Sequence, residues 1–362
     1  MYRVLVYGAG SIGNHLTYAC RQKGWHVDLT DIDPIALERT KTKIYPDRYG
    51  SWDRSICLLT DVDRREVYDL VIIGTPPDTH IDLALNVLSS HPPKVLMIEK
   101  PLCTPFLDNL TALSELDSVK CQVLVGYNHN VTENTERAEK LLTNGYIGTP
   151  YSMHARWQET WAGIFAAHPW LDGPSDTYLG FWGRGGGACA EHSHAISLWQ
   201  HFARVLEYGE IKDVLSVMDM CNTGEVDYDR TAQIILKTEK GLIGTVIQDV
   251  VTDPPIKTLR LQGDEGFLEW YAGYDASSDA LVYGRQSEEP TIELIPKTRS
   301  DDFSNQIDSV GAILSGSEDL HPNRLELGIK TMEIVAAAHL SHRTSEIIDV
   351  SNDEWQSHLN MF

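Results

Sequence analysis

The sequence predicts an α/β protein in two parts: a doubly wound parallel sheet over residues 1–126, and an α+β domain with an open, mainly antiparallel sheet over residues 127–362. Three observations carry this. The length of 362 residues suits two domains of about 100–200 residues each. Up to about residue 125, short apolar runs alternate with helical patterns, as a parallel sheet flanked by helices requires. From about Thr149 onward, strand-like stretches follow one another across turn signals such as Lys240-Gly241 and Gly263-Asp264, and consecutive strands of that kind pair antiparallel.

In the first part the runs are Arg3–Tyr7, His26–Thr30, 70–74 as the fourth strand, Val95–Ile98 and Gln122–Val125. In the second part they are Pro150–Gln158, 214–221, 232–237, 242–251, 258–262 and 267–271. Helical periodicity marks 133–142, 188–205, 304–314 and 323–340, the last helices being able to pack back on the first domain. The Gly- and Pro-rich stretch 163–187 interrupts the strand pattern and reads as an active-site loop or lid.

Composition narrows the class. With 42% hydrophobic and 23% charged residues the chain is neither disordered nor membrane-embedded, and no apolar run approaches the ~20 residues that span a bilayer. A net charge of −22 repels phosphate backbones, which argues against sequence-independent nucleic-acid binding. The six cysteines form no C-x-x-C pair and read as reduced thiols. MYRVLVYGAG enters a strand at once, without a charged n-region, so the expected location is cytoplasmic.

The first chemical motif is Gly8-Ala9-Gly10-Ser11-Ile12-Gly13, a G-x-G-x-x-G between an apolar strand and a helix. Gly8 permits the turn, Gly10 lets backbone approach a diphosphate, and Gly13 allows close helix packing, while the helix N-terminus favours negative charge. The second strand ends in Thr30-Asp31, where a carboxylate accepts from the adenosine ribose hydroxyls. Asp33 is the rival for that role and ranks lower, because Ile32 begins the loop and Pro34 opens the next helix. A carboxylate there repels a 2′-phosphate, and no Arg follows directly, so the expected cofactor is NAD, with NADP disfavoured.

Four further segments are Ile72-Ile73-Gly74-Thr75-Pro76-Pro77-Asp78-Thr79-His80, Ile98-Glu99-Lys100-Pro101-Leu102, Val125-Gly126-Tyr127-Asn128, and the run from Gly185 through Glu191-His192-Ser193-His194 to Ile196. In order and spacing these, with the N-terminal fingerprint, resemble the Gfo/Idh/MocA oxidoreductases over nearly the whole chain. The resemblance implies a Rossmann domain followed by a domain whose open sheet supports the substrate site and commonly an oligomer interface, here a homodimer or homotetramer. It implies that Lys100 is catalytic and substrate-orienting, that Pro101 is often cis, that His194 is the acid–base partner, and that Glu191 contacts substrate. It also implies cofactor contacts from Thr75, Pro76, His80, Glu99, Lys100 and Asn128, beside Gly8, Gly10, Ser11, Ile12, Gly13 and Asp31. Many members carry Asp four residues before the His and again three after it. Ala190 and Ser197 stand there in this chain, which leaves the division of labour around His194 open.

Oxidising a secondary alcohol requires a base beside the cofactor to take the hydroxyl proton as hydride leaves the same carbon. Lys100 ends a sheet strand, the edge at which doubly wound folds bind ligands. Glu191 and His194 stand three apart, a spacing a zinc site can use, yet no metal is expected. His192 is a substrate contact or a core histidine. Asn128, Arg156, Trp157 and Arg184 complete the candidate substrate residues: the arginines suit an anionic substituent. Among Trp157, Trp161, Trp170 and Trp182, an indole offers a flat face to a sugar ring. The reading is an NAD-dependent dehydrogenase of a sugar, sugar acid, inositol or nucleotide-linked sugar. An NAD-dependent glycoside hydrolase working by transient oxidation and elimination is the first alternative, and a non-catalytic NAD-binding sensor the second.

Overall fold

The computed structural model of the chain describes residues 1–62, 66–116, 121–317 and 320–361. The chain divides into two compact units. The first comprises Met1–Cys103, Asp108–Asn128 and Arg299–Gly328; the second comprises Thr104–Leu107, His129–Thr298 and Ile329–Phe362.

Six strands build the first unit: β1 (Arg3–Tyr7), β2 (His26–Thr30), β3 (Ile56–Leu59), β4 (Leu70–Ile73), β5 (Val95–Ile98) and β6 (Gln122–Val125), in the order β3-β2-β1-β4-β5-β6. Every pair is parallel, so all strands end at one edge, and the strand order reverses between β1 and β4. Helices α1 (Ser11–Gln22), α2 (Pro34–Arg39), α3 (Tyr45–Tyr49), α4 (His80–Ser90) and α5 (Leu110–Leu116) lie in the crossovers. Each residue of β4 and β5 is buried, as expected of central strands covered on both faces. Only the first residue of the edge strand β3 is buried, although all four of its residues, Ile56-Cys57-Leu58-Leu59, are apolar.

The second unit opens with α6 (Glu133–Thr143), β7 (Pro150–Gln158), α7 (Ala162–Ala167), α8 (Gly187–Glu191) and α9 (His194–Val205). Then come β8 (Ile211–Asn222), β9 (Asp227–Thr238), β10 (Ile243–Asp249), β11 (Ile256–Gly263), β12 (Gly266–Asp275), β13 (Ser278–Arg285) and β14 (Thr291–Pro296). Helix α10 (Arg299–Leu314) belongs to the first unit and packs Phe303, Ile307, Val310 and Leu314 into the core that holds Leu16 and Ala19 of α1. Helix α11 (Leu325–Thr344) begins in the first unit and continues in the second, where β15 (Ile348–Asp349) completes a nine-stranded sheet, β14-β13-β12-β11-β7-β10-β9-β8-β15.

Four expectations need correction. β7 does not obey the hairpin rule: it leaves the sheet through helices, and pairs antiparallel with β11 but parallel with β10. The helix expected over 188–205 is two, α8 and α9, broken at His192-Ser193. The stretch 163–187 is not one open loop, since most of α7 and the 3₁₀ turns Pro174–Asp176, Tyr178–Gly180 and Trp182–Arg184 fall within it. Strands β13 and β14, separated by the polar run 286–290, extend the sheet beyond the expected set.

Alternation divides the central strands of this sheet between two faces. Met153, Ala155 and Trp157 of β7, Ile234 and Leu236 of β9 and Val246 of β10 are buried, while Val217, Ile235 and Ile243 are exposed on the other face.

Candidate active site

The cofactor cradle is assembled along the C-terminal edge of the parallel sheet. At Gly8 and Gly13 the backbone leaves no room for a side chain. A Cβ on Gly8 would stand 2.5 Å from the Gly74 carbonyl oxygen, and one on Gly13 would stand 1.9 Å from that of Gly8. Above Gly10, by contrast, a Cβ would meet nothing within 4 Å. The first helical bond of α1 runs from the Asn14 N–H to the Gly10 carbonyl (3.1 Å), so the amides of Ser11, Ile12 and Gly13 lie ahead of it, in the position that receives anions at helix N-termini. The loop is fixed from beneath by fully buried Asn14 and Thr40. Asn14 Nδ2 donates to the carbonyls of Ala9 (3.1 Å) and Gly10 (2.8 Å), and the Thr40 hydroxyl donates to Ala9 (2.7 Å).

At the end of β2 the two acids take different positions. Asp31 accepts from the Ala9 amide at 2.7 Å and the Asp33 amide at 2.9 Å, which ties its carboxylate to the glycine loop. Asp33 instead caps α2, accepting from the Ile35 amide at 2.9 Å.

Beyond β4, Thr75 is half-buried and Pro76 exposed. His80 is fully buried: Nδ1 lies 3.0 Å from the Pro101 carbonyl oxygen and Nε2 lies 2.7 Å from that of Thr75. The expected cofactor contact is therefore corrected. His80 has no surface to offer and ties the β4 loop to the turn after β5. Burial pushes its pKa below the usual imidazole range, against the opposing pull of the carbonyls. After β5, Glu99 is buried and Lys100 half-exposed, and the Lys100-Pro101 bond is cis. Gly126 leaves the space Glu99 fills, since a Cβ there would stand 2.4 Å from its Oε1. Asn128 Oδ1 is buried and lacks a hydrogen-bond partner. An open loop backed by free helix-end amides, a tethered carboxylate and an orphaned acceptor fit a dinucleotide.

In the second unit, His194 at the start of α9 is half-buried and stacks on Trp157 (centroids 5.3 Å, 25° between planes), with His129 edge-on at 5.0 Å. Glu191 accepts from the Tyr178 hydroxyl at 3.0 Å. His192 is 4% exposed and lies in the interior. Two expectations fail on geometry. Trp157 is 4% exposed and also stacks on Trp270 (6.2 Å), so it supports His194 and offers no open face to a sugar. Arg156, one residue away, points by strand alternation to the other face of the sheet, where it donates to Gln158 (2.8 Å). Arg184 is exposed at the end of a 3₁₀ turn. Trp161 and Trp182 are buried, and Trp170 is half-buried against His168. Among the described residues, no three His, Cys, Asp or Glu side chains group as metal ligands.

Sequence reasoning missed Asp229. It is fully buried on β9 and accepts from the Cys189 amide of α8 at 2.7 Å. Gly187 makes this possible: its φ is +79°, and a Cβ would stand 1.9 Å from Asp229 Oδ1. Burial pushes the Asp229 pKa up to about 8, against the lowering effect of the backbone amides. The turn that leads to Glu191 and His194 is thus seated on a buried acid.

Comparison with known proteins agrees with this geometry. The NAD-binding Rossmann-fold model of the oxidoreductase family GFO/IDH/MocA matches residues 2–127, and the GFO/IDH/MocA C-terminal domain matches 135–269. No curated protein matches. Among solved structures, an aldose-aldose oxidoreductase from Caulobacter crescentus is similar at 18% identity, over 96% of this chain and 99% of that one, with a TM-score of 0.74. An inositol dehydrogenase homolog from Azotobacter vinelandii, complexed with NAD+, is similar at 17% identity, over 96% and 97%, with a TM-score of 0.72. The WlbA dehydrogenase from Bordetella pertussis, in complex with NADH and UDP-GlcNAcA, is similar at 18% identity, over 97% and 99%, with a TM-score of 0.69. The chain belongs to the GFO/IDH/MocA oxidoreductase family, with NAD as its cofactor.

Proposed function

We propose that the protein is an NAD-dependent dehydrogenase acting on a CH–OH group of a carbohydrate-like substrate: a sugar, sugar acid, inositol or nucleotide-linked sugar. The observation that carries this is the placing of Lys100 on the same sheet edge as the glycine loop, directly after buried Glu99. Bound NAD supplies a hydride acceptor at the nicotinamide ring. Lys100 orients the substrate hydroxyl and takes its proton, and His194 is the second acid–base group, its ring held by Trp157 and His129. Glu191 contacts substrate hydroxyls, with its carboxylate oriented by Tyr178. Asp31 holds the adenosine ribose and disfavours NADP. The similar structures described with myo-inositol and with UDP-GlcNAcA support the substrate class. The exposed Val217, Ile235 and Ile243 on the outer sheet face support a homo-oligomer formed through that face. No helix among the described residues is long and apolar enough to cross a membrane.

The test is a panel of sugars, sugar acids, inositols and glycosides, following NADH absorbance and, separately, aglycone release. The expected result is one NADH per substrate oxidised. Glycoside cleavage sustained for many turnovers per NAD, with no net NADH, would replace this reading with the hydrolase.

A further inference from the structure

Arg48, on α3, directs its guanidinium at the loop that receives the cofactor. Its Nη1 donates to the Ser11 carbonyl at 3.1 Å and its Nη2 to the Ser11 hydroxyl oxygen at 2.8 Å. Ser11 is the first residue of α1 and the fourth of the glycine motif. These bonds use two of the five guanidinium N–H groups. The side chain is only partly buried, so donors remain for a ligand.

The surroundings of Arg48 are unusual for this chain. The protein carries 52 acidic residues, yet among the described residues no carboxylate pairs with Arg48, and its charged neighbour is a second arginine, Arg299 at the start of α10. Two further titratable groups that interact with Arg48 are Tyr49 and His15. The Tyr49 hydroxyl is 2.5 Å from His15 Nδ1, and the His15 ring stacks on Phe303 at 4.5 Å. Burial, with both arginines, pushes the His15 pKa down to about 3, so this histidine is neutral and adds no charge. A part-buried arginine that no described carboxylate pairs with, set against a second arginine, opposes folding by repulsion and desolvation. Such an arrangement is stabilised by an anion, and guanidinium suits phosphate oxygens.

We propose that Arg48 is a diphosphate-binding residue of the cofactor site, with Arg299 reinforcing the positive potential behind it. The helix-end amides of Ser11, Ile12 and Gly13 supply neutral donors, and Arg48 adds the formal charge that they lack. The proposal rests on the cofactor reading. It assigns the guanidinium to the diphosphate common to NAD and ADP-ribose, not to the 2′-phosphate that distinguishes NADP.

The test is calorimetric titration of the full chain and of Arg48→Met, Arg48→Lys and Arg299→Met with NAD, ADP-ribose, NADP and adenosine. Circular dichroism and the thermal midpoint of each ligand-free variant serve as folding controls. Arg48→Met should weaken NAD and ADP-ribose by a common factor of about ten and leave adenosine unchanged. Arg48→Lys should recover part of the loss, and Arg299→Met should cost about threefold by weaker, longer-range attraction. Unchanged NAD affinity in Arg48→Met would overturn the proposal. So would an equal loss for adenosine, which would show that the loop had merely collapsed, or a loss confined to NADP. If Arg48→Met does not fold, Arg48→Gln, which keeps a hydrogen-bond donor but loses the charge, takes its place, and parent-like affinity for NAD and ADP-ribose in that variant has the same force against the proposal. Failure of the parent protein to bind NAD would remove the cofactor reading and this proposal together, whereas parent binding with an indifferent Arg48 would remove only the proposal.

Discussion

The two units build their working surfaces by different means. In the first, the cradle is made of backbone: glycine turns, helix-end amides and residues that directly follow strands, all delivered to one edge because every strand runs the same way. In the second, the surroundings of His194 come from scattered elements, with His129 ahead of α6, Trp157 on β7 and Trp270 on β12, while Asp229 on β9 seats the preceding turn. A backbone site depends on local conformation and tolerates few side chains. A side-chain site depends on the sheet that gathers its parts.

The comparison is tested most severely by removing the side chains that carry chemistry. Lys100→Met should lower turnover by on the order of 10³-fold on the substrate that the panel identifies, while NAD affinity stays within about twofold, because the diphosphate cradle is built at Gly8–Gly13 and not by this side chain. His194→Ala should slow the same reaction by about tenfold to a hundredfold if Lys100 is the principal base. Full activity of the lysine variant at every pH would remove it from the mechanism.

A smaller effect is expected at Asp31, a cradle residue that acts through its side chain. Asp31→Ala should weaken NAD about tenfold and narrow its preference over NADP, by removing both the ribose acceptor and the charge that repels a 2′-phosphate. Binding titrations with both nucleotides measure this, and an unchanged ratio would reassign the selectivity.

The smallest change concerns stability and is confined to the second unit. Asp229 keeps its proton up to about pH 8 in the folded protein, whereas an unfolded aspartate loses it near pH 4. Its contribution to stability is therefore complete below about pH 4 and declines as pH rises towards 8. Asp229→Asn cannot ionise, so its thermal midpoint should gain on that of the parent as pH goes from 5 to 8. A constant difference across that range would show that the carboxyl is ionised throughout.

Much of the first unit was legible because its determinants are contiguous. The spacing of Gly8, Gly10 and Gly13, the end of β2 at Asp31 and the Glu99-Lys100-Pro101 element each lie within a few residues. Even there, only the structure shows how Asp31 and Asp33 differ: the first accepts from the glycine-loop amide of Ala9, the second from the Ile35 amide of α2. The interior position of His80 followed from its two carbonyl partners, which lie five and 21 residues away.

The second unit shows where local pattern stops. Period-two alternation separates Arg156 from Trp157, but which of them meets His194 depends on the packing of α9 on the sheet. Asp229 left no sequence signal, because a register shift between β8 and β9 moves it out of step with Ala232, Ile234 and Leu236 while still turning it inward. The helical break at His192-Ser193 likewise lies within a pattern that reads as continuous. The sequence by itself determined the parallel sheet, the glycine loop and the order of the motifs, since these follow from apolar periodicity and from backbone freedom at named positions. Only the tertiary structure decided which histidine is buried, which tryptophan is covered, which acid sits beneath the Gly187 turn and which arginine faces Ser11. Those outcomes depend on residues far apart in the chain competing for the same space and the same hydrogen bonds.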